Sequence, residues 1–332
     1  MASDRPLRAP RLLQLRRDDQ AAVRTELLRG LTAAAATTSP KYLYDALGSR
    51  LFEAITELPE YDLTRNEAAI FAARAEAMSA RVPSGATWID LGAGNCCKAA
   101  RLFPRFAPRR YVAVDIAVDF LQSALETLQR QHPELEIVGL GLDFSTRLEL
   151  PAGAVDADGA RVLFYPGSSI GNFTPAEARV FLRSVHAACG TAAGSGLLIG
   201  VDLVRDAAAL EAAYDDALGV TAAFNRNLLL HVNRLAGTDF AVRDWSHVAV
   251  FNAALSRIEM HLQARRDLTV RWAGGERTFA AGERIHTENS CKWMLPDFEA
   301  LLTQAGFERG ESWTDDAHRF AVVWAPAAAA PR

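Results

Sequence analysis

Apolar residues recur at helical spacing over residues 19–32 and again over 42–58, where Leu43, Ala46, Leu47, Leu51, Phe52 and Ile55 form one stripe. The run Pro59-Glu60-Tyr61-Asp62 breaks that period. Thr64, with Glu67 three residues on, then reads as a capping box opening a third helix that runs to about Arg81. No strand is expected in this first segment. Beyond it the pattern changes to short apolar runs, which predict strands at 87–91, 110–115, 135–142, 161–165 and 196–204. Helices are predicted between them at 98–106, 118–131 and 175–189; the middle one carries Phe120, Leu121, Ala124, Leu125 and Leu128 on one face. Near-continuous apolar strands alternating with helices predict an α/β fold, a doubly wound parallel sheet buried on both faces.

After Val204 the alternation stops. Residues 205–235 read as one helix, and 247–265 and 268–279 as antiparallel strands, the latter turning at Ala273-Gly274-Gly275. Residues 283–291 read as a strand or an extended loop. A helix at 296–305, ended by Gly306, and strands at 308–313 and 320–324 close the chain. This order predicts a core built from residues 67–200 plus 293–328. A second, α+β domain would come from 10–66 plus 201–292, with tails at 1–9 and 329–332. The Ala/Pro run 325–332 reads as disordered.

Composition narrows the function. At 332 residues, half of them hydrophobic, the chain can bury a sizeable core. Its 36 basic and 40 acidic side chains leave a net charge of −4, which does not favour a nucleic-acid partner. No apolar run approaches a membrane span, and the basic amino end lacks the apolar stretch of a secretory signal. The four cysteines, Cys96, Cys97, Cys189 and Cys291, have no metal-site spacing and read as reduced thiols, which predicts a cytoplasmic protein. None of the seven histidines shows ligand spacing, and no metal is expected; His286, two residues before Glu288, is the one to watch.

The candidate chemistry begins at Asp90-Leu91-Gly92-Ala93-Gly94, where a predicted strand runs into a two-glycine turn. Glycine there lets backbone approach a flat ligand closely. A dinucleotide fingerprint needs a third glycine where this chain has Cys97, which disfavours a nicotinamide-dependent oxidoreductase. The acidic lead-in Asp-x-Gly-x-Gly suits S-adenosylmethionine instead. Asp115 ends the second strand, where a carboxylate can take both ribose hydroxyls, and Asp143-Phe144 ends the third, suited to an adenine amino group and ring face. Gly167 and Asn172 follow the fourth. In an open α/β sheet these strand ends share one crevice.

Six further motifs are longer and more specific: Lys41-Tyr42-Leu43-Tyr44-Asp45, Leu58-Pro59-Glu60-Tyr61, Gly167-Ser168-Ser169-Ile170-Gly171-Asn172, Tyr214-Asp215-Asp216, the run from Gly219 to Asn227, and Thr287-Glu288-Asn289-Ser290-Cys291-Lys292. With them the chain resembles, from Lys41 to Trp324, the histidine-specific N-alpha-methyltransferases of ergothioneine biosynthesis. The resemblance implies a class I methyltransferase core of Rossmann-like form beside a substrate-binding domain. It implies S-adenosylmethionine as cofactor and three methyl transfers to the α-amino group of L-histidine, yielding hercynine. It carries cofactor binding onto Tyr44, Gly92, Lys98, Asp115, Asp143 and Phe144. Substrate binding carries onto Tyr61, Gly167, Asn172, Tyr214, Met260, Glu288 and Ser290, with Tyr44 and Asn172 as catalytic candidates. Cys96-Cys97 departs from the small polar residues expected in the turn, which leaves the shape of the cofactor loop open.

Residue chemistry agrees with these roles. On an extended segment Glu288 and Ser290 share a face, and a carboxylate with a hydroxyl can hold both imidazole nitrogens. Phe52 or Tyr44 can neighbour the cationic product. The competing readings are a methyltransferase acting on another aromatic amino acid, which offers no second ring nitrogen, and a non-catalytic cofactor-binding module. A monomer acting on a small molecule is expected, with neither nucleic acid nor membrane as partner.

Overall fold

The computed structural model describes residues 8–15, 19–145, 148–156 and 158–327. The expected tails therefore lie outside the described residues, apart from Arg8 and Ala9. In chain order the first strands are β1 (Arg11–Gln14), β2 (Ala36–Thr37), β3 (Thr87–Leu91), β4 (Arg110–Asp115), β5 (Glu136–Gly141), β6 (Arg161–Tyr165) and β7 (Gly196–Asp202). They are followed by β8 (Trp245–Asn252), β9 (Arg257–Ala264), β10 (Leu268–Trp272), β11 (Gly275–Phe279), β12 (Arg284–Cys291), β13 (Glu311–Thr314) and β14 (Phe320–Pro326).

Eight strands make one sheet in the order β1-β5-β4-β3-β6-β7-β14-β13. The six from β1 to β7 in that order run parallel; β14 is antiparallel to β7, and β13 to β14. Successive side chains alternate between two cores. Trp88, Tyr111, Ala113, Val162 and Phe164 join the core on one face, while Ile89, Val112, Val114, Leu163 and Tyr165 join the other. Helices Leu63–Ser79 and Val118–Gln131 contribute to the first core, Pro175–Cys189 and Leu295–Ala305 to the second. Burial on both sides is why these strands lack a polar alternation.

The second sheet has the order β2-β12-β9-β8, and β10 with β11 forms a hairpin. Helix Val220–Ala236 packs on β8 and β9 and against helices Gln20–Thr32 and Ala46–Thr56. The two sheets are stitched where β7 and β12 end. Trp293 N donates to Asp202 O and Val204 N to Trp293 O, both at 3.1 Å. Among the described residues no helix is long and apolar enough to cross a membrane.

Several expected elements differ, each for a local reason. The first segment does contain a strand, Ala36–Thr37, paired with β12, and ahead of it Arg11–Gln14 pairs parallel with β5 at the sheet edge. Four and two residues are too short for a period to show. Helix 42–58 begins at Ala46, because the Asp45 carboxylate accepts from Gly48 N at 2.7 Å and caps it. Helix 98–106 splits, with Pro104 early in the second piece. The predicted helix 205–235 breaks into Ala207–Ala212 and Val220–Ala236, the second held by Asp216 accepting from Val220 N (2.9 Å) and Thr221 N (2.8 Å). Ala325 and Pro326 belong to β14 and Ala327 bridges Phe307, so the start of the Ala/Pro run is sheet.

Candidate active site

The candidate cofactor end lies at the carboxyl ends of β3, β4 and β5. Gly92 and Gly94 have φ of 74° and 52°, and Gly92 N (2.8 Å) and Ala93 N (3.1 Å) both donate to Val114 O. The turn is thereby wrapped over β4. Asp115 braces it, accepting from Gly94 N at 2.8 Å through Oδ2 and from Ala117 N at 2.9 Å through Oδ1. Each oxygen retains an acceptor site for a hydroxyl. The Phe144 ring faces the turn, 3.7 Å from where a Gly92 Cβ would lie, and nothing stands within 4 Å of one on Gly94. Asp143 is held by Lys41 at 3.2 Å and by Ser145. Open space at the glycines, acceptors on Asp115 and a ring beside them fit an adenosine group.

The cysteines explain the departure in the turn. Cys96 is buried in the left-handed region (φ 62°) at the start of helix Cys97–Ala100, while Cys97 faces solvent. Cys96 lies against Tyr111, whose hydroxyl donates to Asp90 Oδ2 at 2.7 Å. Burial pushes Asp90 up to about 7. The buried Cys96 anchors the loop from below, while Asn95 Oδ1 accepts from Cys97 N at 3.0 Å and caps the helix start.

Lys98 does not stand alone. Its ammonium lies 2.7 Å from Glu67 Oε2, and Glu67 Oε1 accepts from Gly167 N at 2.7 Å. Glu67 is 1% exposed. It reaches across the sheet because Gly200 leaves room: a Cβ there would sit 2.2 Å from Glu67 Oε1. The expected capping box is thus corrected. Asp62 precedes the helix, Thr64 lies inside it, and Glu67 points at the strand ends. The missed signal was Leu63, Glu67 and Ile70 at helical spacing, a carboxylate on a core stripe.

The candidate substrate end is a pocket lined by Tyr44, Phe52, Tyr61, Tyr214 and Phe224, with Gly167, Asn172, Met260, Glu288 and Ser290. Tyr44 meets Phe52 and Phe224 edge-on at 5.6 and 5.5 Å, and Tyr61 meets Tyr214 at 6.0 Å. Glu288 and Ser290 do share the pocket face of β12. Burial pushes Glu288 up to about 8, partly offset by Lys292 and by a hydrogen bond from the Asn172 side chain. Burial likewise raises the phenols of Tyr44 and Tyr61 well above their ordinary value, so neither is a phenolate base near neutrality. His286, expected on the Glu288 face, is not there. The β12–β9 register shifts between His286 and Glu288, and this bulge puts His286 beside His261 and Asn289.

Supporting contacts explain the remaining motifs. Asn227 Nδ2 donates to Asp45 Oδ1 at 2.7 Å, which ties helix Val220–Ala236 to the Tyr44 turn. Asn225 Nδ2 lies 2.9 Å from His247 Nδ1 and 3.0 Å from His261 O. With Nδ1 as acceptor, His247 carries its proton on Nε2 and donates to Tyr214 O at 2.8 Å. Ser168 has φ 57° after Gly167 at 75°, opening the short turn Ser169–Asn172. Gly171 lets that turn dock on β12: a Cβ would lie 3.0 and 3.1 Å from Cys291 O and N. Gly171→Ala should lower stability by about 1–3 kcal/mol, read as a fall in Tm; an unchanged Tm would show that β12 can move.

A doubly wound sheet with a glycine turn and acidic strand ends opening on an aromatic pocket defines an S-adenosylmethionine-dependent methyltransferase of class I form. Residues 23–327 match the family described as histidine-specific methyltransferase, SAM-dependent, and the chain belongs to it. It is 40% identical over 307 residues to the histidine N-alpha-methyltransferase of Mycolicibacterium smegmatis, covering 91% of this chain and 94% of that protein. The enzyme of the same name from Mycobacterium tuberculosis is 40% identical over 311 residues, with the same coverage of each. Ergothioneine biosynthesis protein 1 of Neurospora crassa is 32% identical over 278 residues, 82% of this chain and 31% of that protein.

Proposed function

We propose that this protein transfers three methyl groups from S-adenosylmethionine to the α-amino group of L-histidine, making hercynine for ergothioneine biosynthesis. Glu288 and Ser290 carry the substrate reading: a carboxyl and a hydroxyl on one strand face, in a pocket they share with Asn172 and five aromatic rings. A site built to hydrogen-bond a ring nitrogen rejects rings lacking it by about 10⁴–10⁵, which disfavours another aromatic amino acid as substrate.

In this reading Gly92, Lys98, Asp115, Asp143, Phe144 and Tyr44 hold the cofactor, which supplies an activated methyl on a sulfonium. Tyr61, Gly167, Asn172, Tyr214 and Met260 complete the substrate site around Glu288 and Ser290. The eight-stranded sheet serves the donor; the four-stranded sheet and its helices serve the acceptor. The protein's work is in-line placement of the amine, which can lower a barrier by roughly 7–11 kcal/mol. Asn172 and Tyr44 orient that amine; Tyr44, kept protonated by burial, can accept an amine N–H at its hydroxyl oxygen and leave the lone pair facing the methyl. The rings of Tyr44, Phe52 and Phe224 leave a face for the growing cation. We read the protein as a cytoplasmic monomer that takes a small molecule only.

The test is mass spectrometry of the purified protein with S-adenosylmethionine and a mixture of all amino acids. Histidine heavier by three methyl groups is expected; product from another amino acid, with histidine untouched, would sink the reading. Asp115→Ala should weaken S-adenosylmethionine binding by about tenfold or more, through loss of two hydroxyl acceptors and of the turn's brace. Calorimetric binding equal to wild type would remove the ribose from Asp115.

A further inference from the structure

Behind the pocket lies a buried ion pair that the mechanism above does not use. Lys292 Nζ is 2.7 Å from Asp202 Oδ2, and both side chains are fully buried. The same nitrogen lies 2.9 Å from Ser290 Oγ and 3.1 Å from Tyr214 Oη. Those two hydroxyls are themselves 2.7 Å apart. An ammonium has three protons and no acceptor, so Lys292 spends one on each of the three oxygens.

Relative acidity then sets the direction between the two hydroxyls. Only one hydroxyl proton fits between Tyr214 and Ser290. The phenol, ordinarily near pKa 10, is much the stronger acid of the two, so Tyr214 donates to Ser290. Ser290 Oγ now accepts from both Lys292 and Tyr214 and has no lone pair left. Its own proton must point into the pocket. We propose that Lys292 is a positioning residue that makes Ser290 an obligate donor, so that the pocket accepts the neutral imidazole and refuses the imidazolium. The proposal rests on the histidine reading above.

The refusal follows from the geometry of two nitrogens. With Ser290 donating to one, that nitrogen must be bare, and the other must carry the proton that Glu288 accepts. An imidazolium has a proton on both and would face Ser290 proton to proton. Other titratable groups around the pocket do not reproduce this. Burial holds the phenols of Tyr44, Tyr61 and Tyr214 protonated. Arg205 is bound to Asp202 and Asp62, while Glu67 and Lys98 pair with each other behind Gly167. Glu288 remains; it must be ionised to accept, which reinforces the same acid limb in the wild type. Without Lys292, Ser290 is free to turn and accept, and either state of Glu288 then finds a matching ring.

The experiment is calorimetric binding of L-histidine to the full protein saturated with S-adenosylhomocysteine, between pH 5.5 and 7.5. The wild-type Kd should weaken by about tenfold per pH unit from Glu288's pKa of about 8 down to the imidazole pKa near 6.5, and by about a hundredfold per unit below it. Lys292→Met should bind about tenfold more weakly at pH 7.5, stay nearly flat down to about pH 6.5 and weaken by only about tenfold per unit below that, one proton fewer than the wild type throughout. A purely structural lysine would lower the competent fraction without changing the slope, so an unchanged slope overturns the proposal. If Lys292→Met does not fold, Ser290→Ala decides the matter, since removing the donor must flatten the same limb. A wild type that neither binds nor methylates histidine would defeat the functional reading itself; an intact wild type with unaltered slopes in the variants defeats this inference alone.

Discussion

Glu288→Ala should lower kcat/KM for L-histidine on the order of 10⁴-fold, while S-adenosylmethionine binds within about twofold of wild type. The carboxyl is 7% exposed, and it is the pocket's one acidic side chain. Apart from Tyr44, the residues proposed to hold the cofactor lie on other elements, which is why the two effects separate. Stopped turnover with intact cofactor binding, by mass spectrometry and calorimetry, is the expected pair; equal losses in both would make Glu288 structural. The same residue has a stability signature. Burial raises its pKa from 4.5 to about 8, so the folded protein keeps a proton that the unfolded chain has released. The stability it contributes is full below about pH 4.5 and is lost as pH rises through about 8, at about 1.4 kcal/mol per pH unit. Glu288→Gln should therefore raise the Tm of the ligand-free protein at pH 8, and the gain should vanish near pH 4.5. Parallel Tm–pH curves would contradict the buried carboxylate.

Glu67→Ala should cut turnover by about 10²-fold and stability by about 1–3 kcal/mol. Its two oxygens hold Lys98, one of the residues proposed for the cofactor, and Gly167 N–H, from the turn proposed for the substrate. Removing them leaves a buried N–H without its acceptor and lets the Gly167–Asn172 turn drift. Glu67→Gln keeps an acceptor for Gly167 and should recover most of the stability and the histidine KM. Wild-type Tm and KM in Glu67→Ala would remove Glu67 from the site.

The doubly wound sheet was legible because buried parallel strands are apolar on both faces. The ranges of β3, β4 and β6 match their expected limits residue for residue. Irregular segments were not, since capping by Asp45 and Asp216 overrides the helical period around them. At the candidate site, Glu288 and Ser290 came from the family resemblance and their i, i+2 spacing put them on one face of β12, while a bulge moved His286 off that face. Glu67 read as a cap because Thr64 preceded it by three residues.

By itself the amino-acid sequence determined the strand–helix alternation, the glycine turn with its acidic strand ends, and the motifs that place the chain in its family. All of these are local, set by period, spacing and residue type. Tertiary structure alone decided what each polar group meets. Glu67 reaches Gly167 across 100 positions of chain because Gly200 opens the path, and Lys292 meets Asp202 and Tyr214 only where β7 and β12 are stitched together. Such contacts depend on the packing of two sheets, and no period along the chain encodes it.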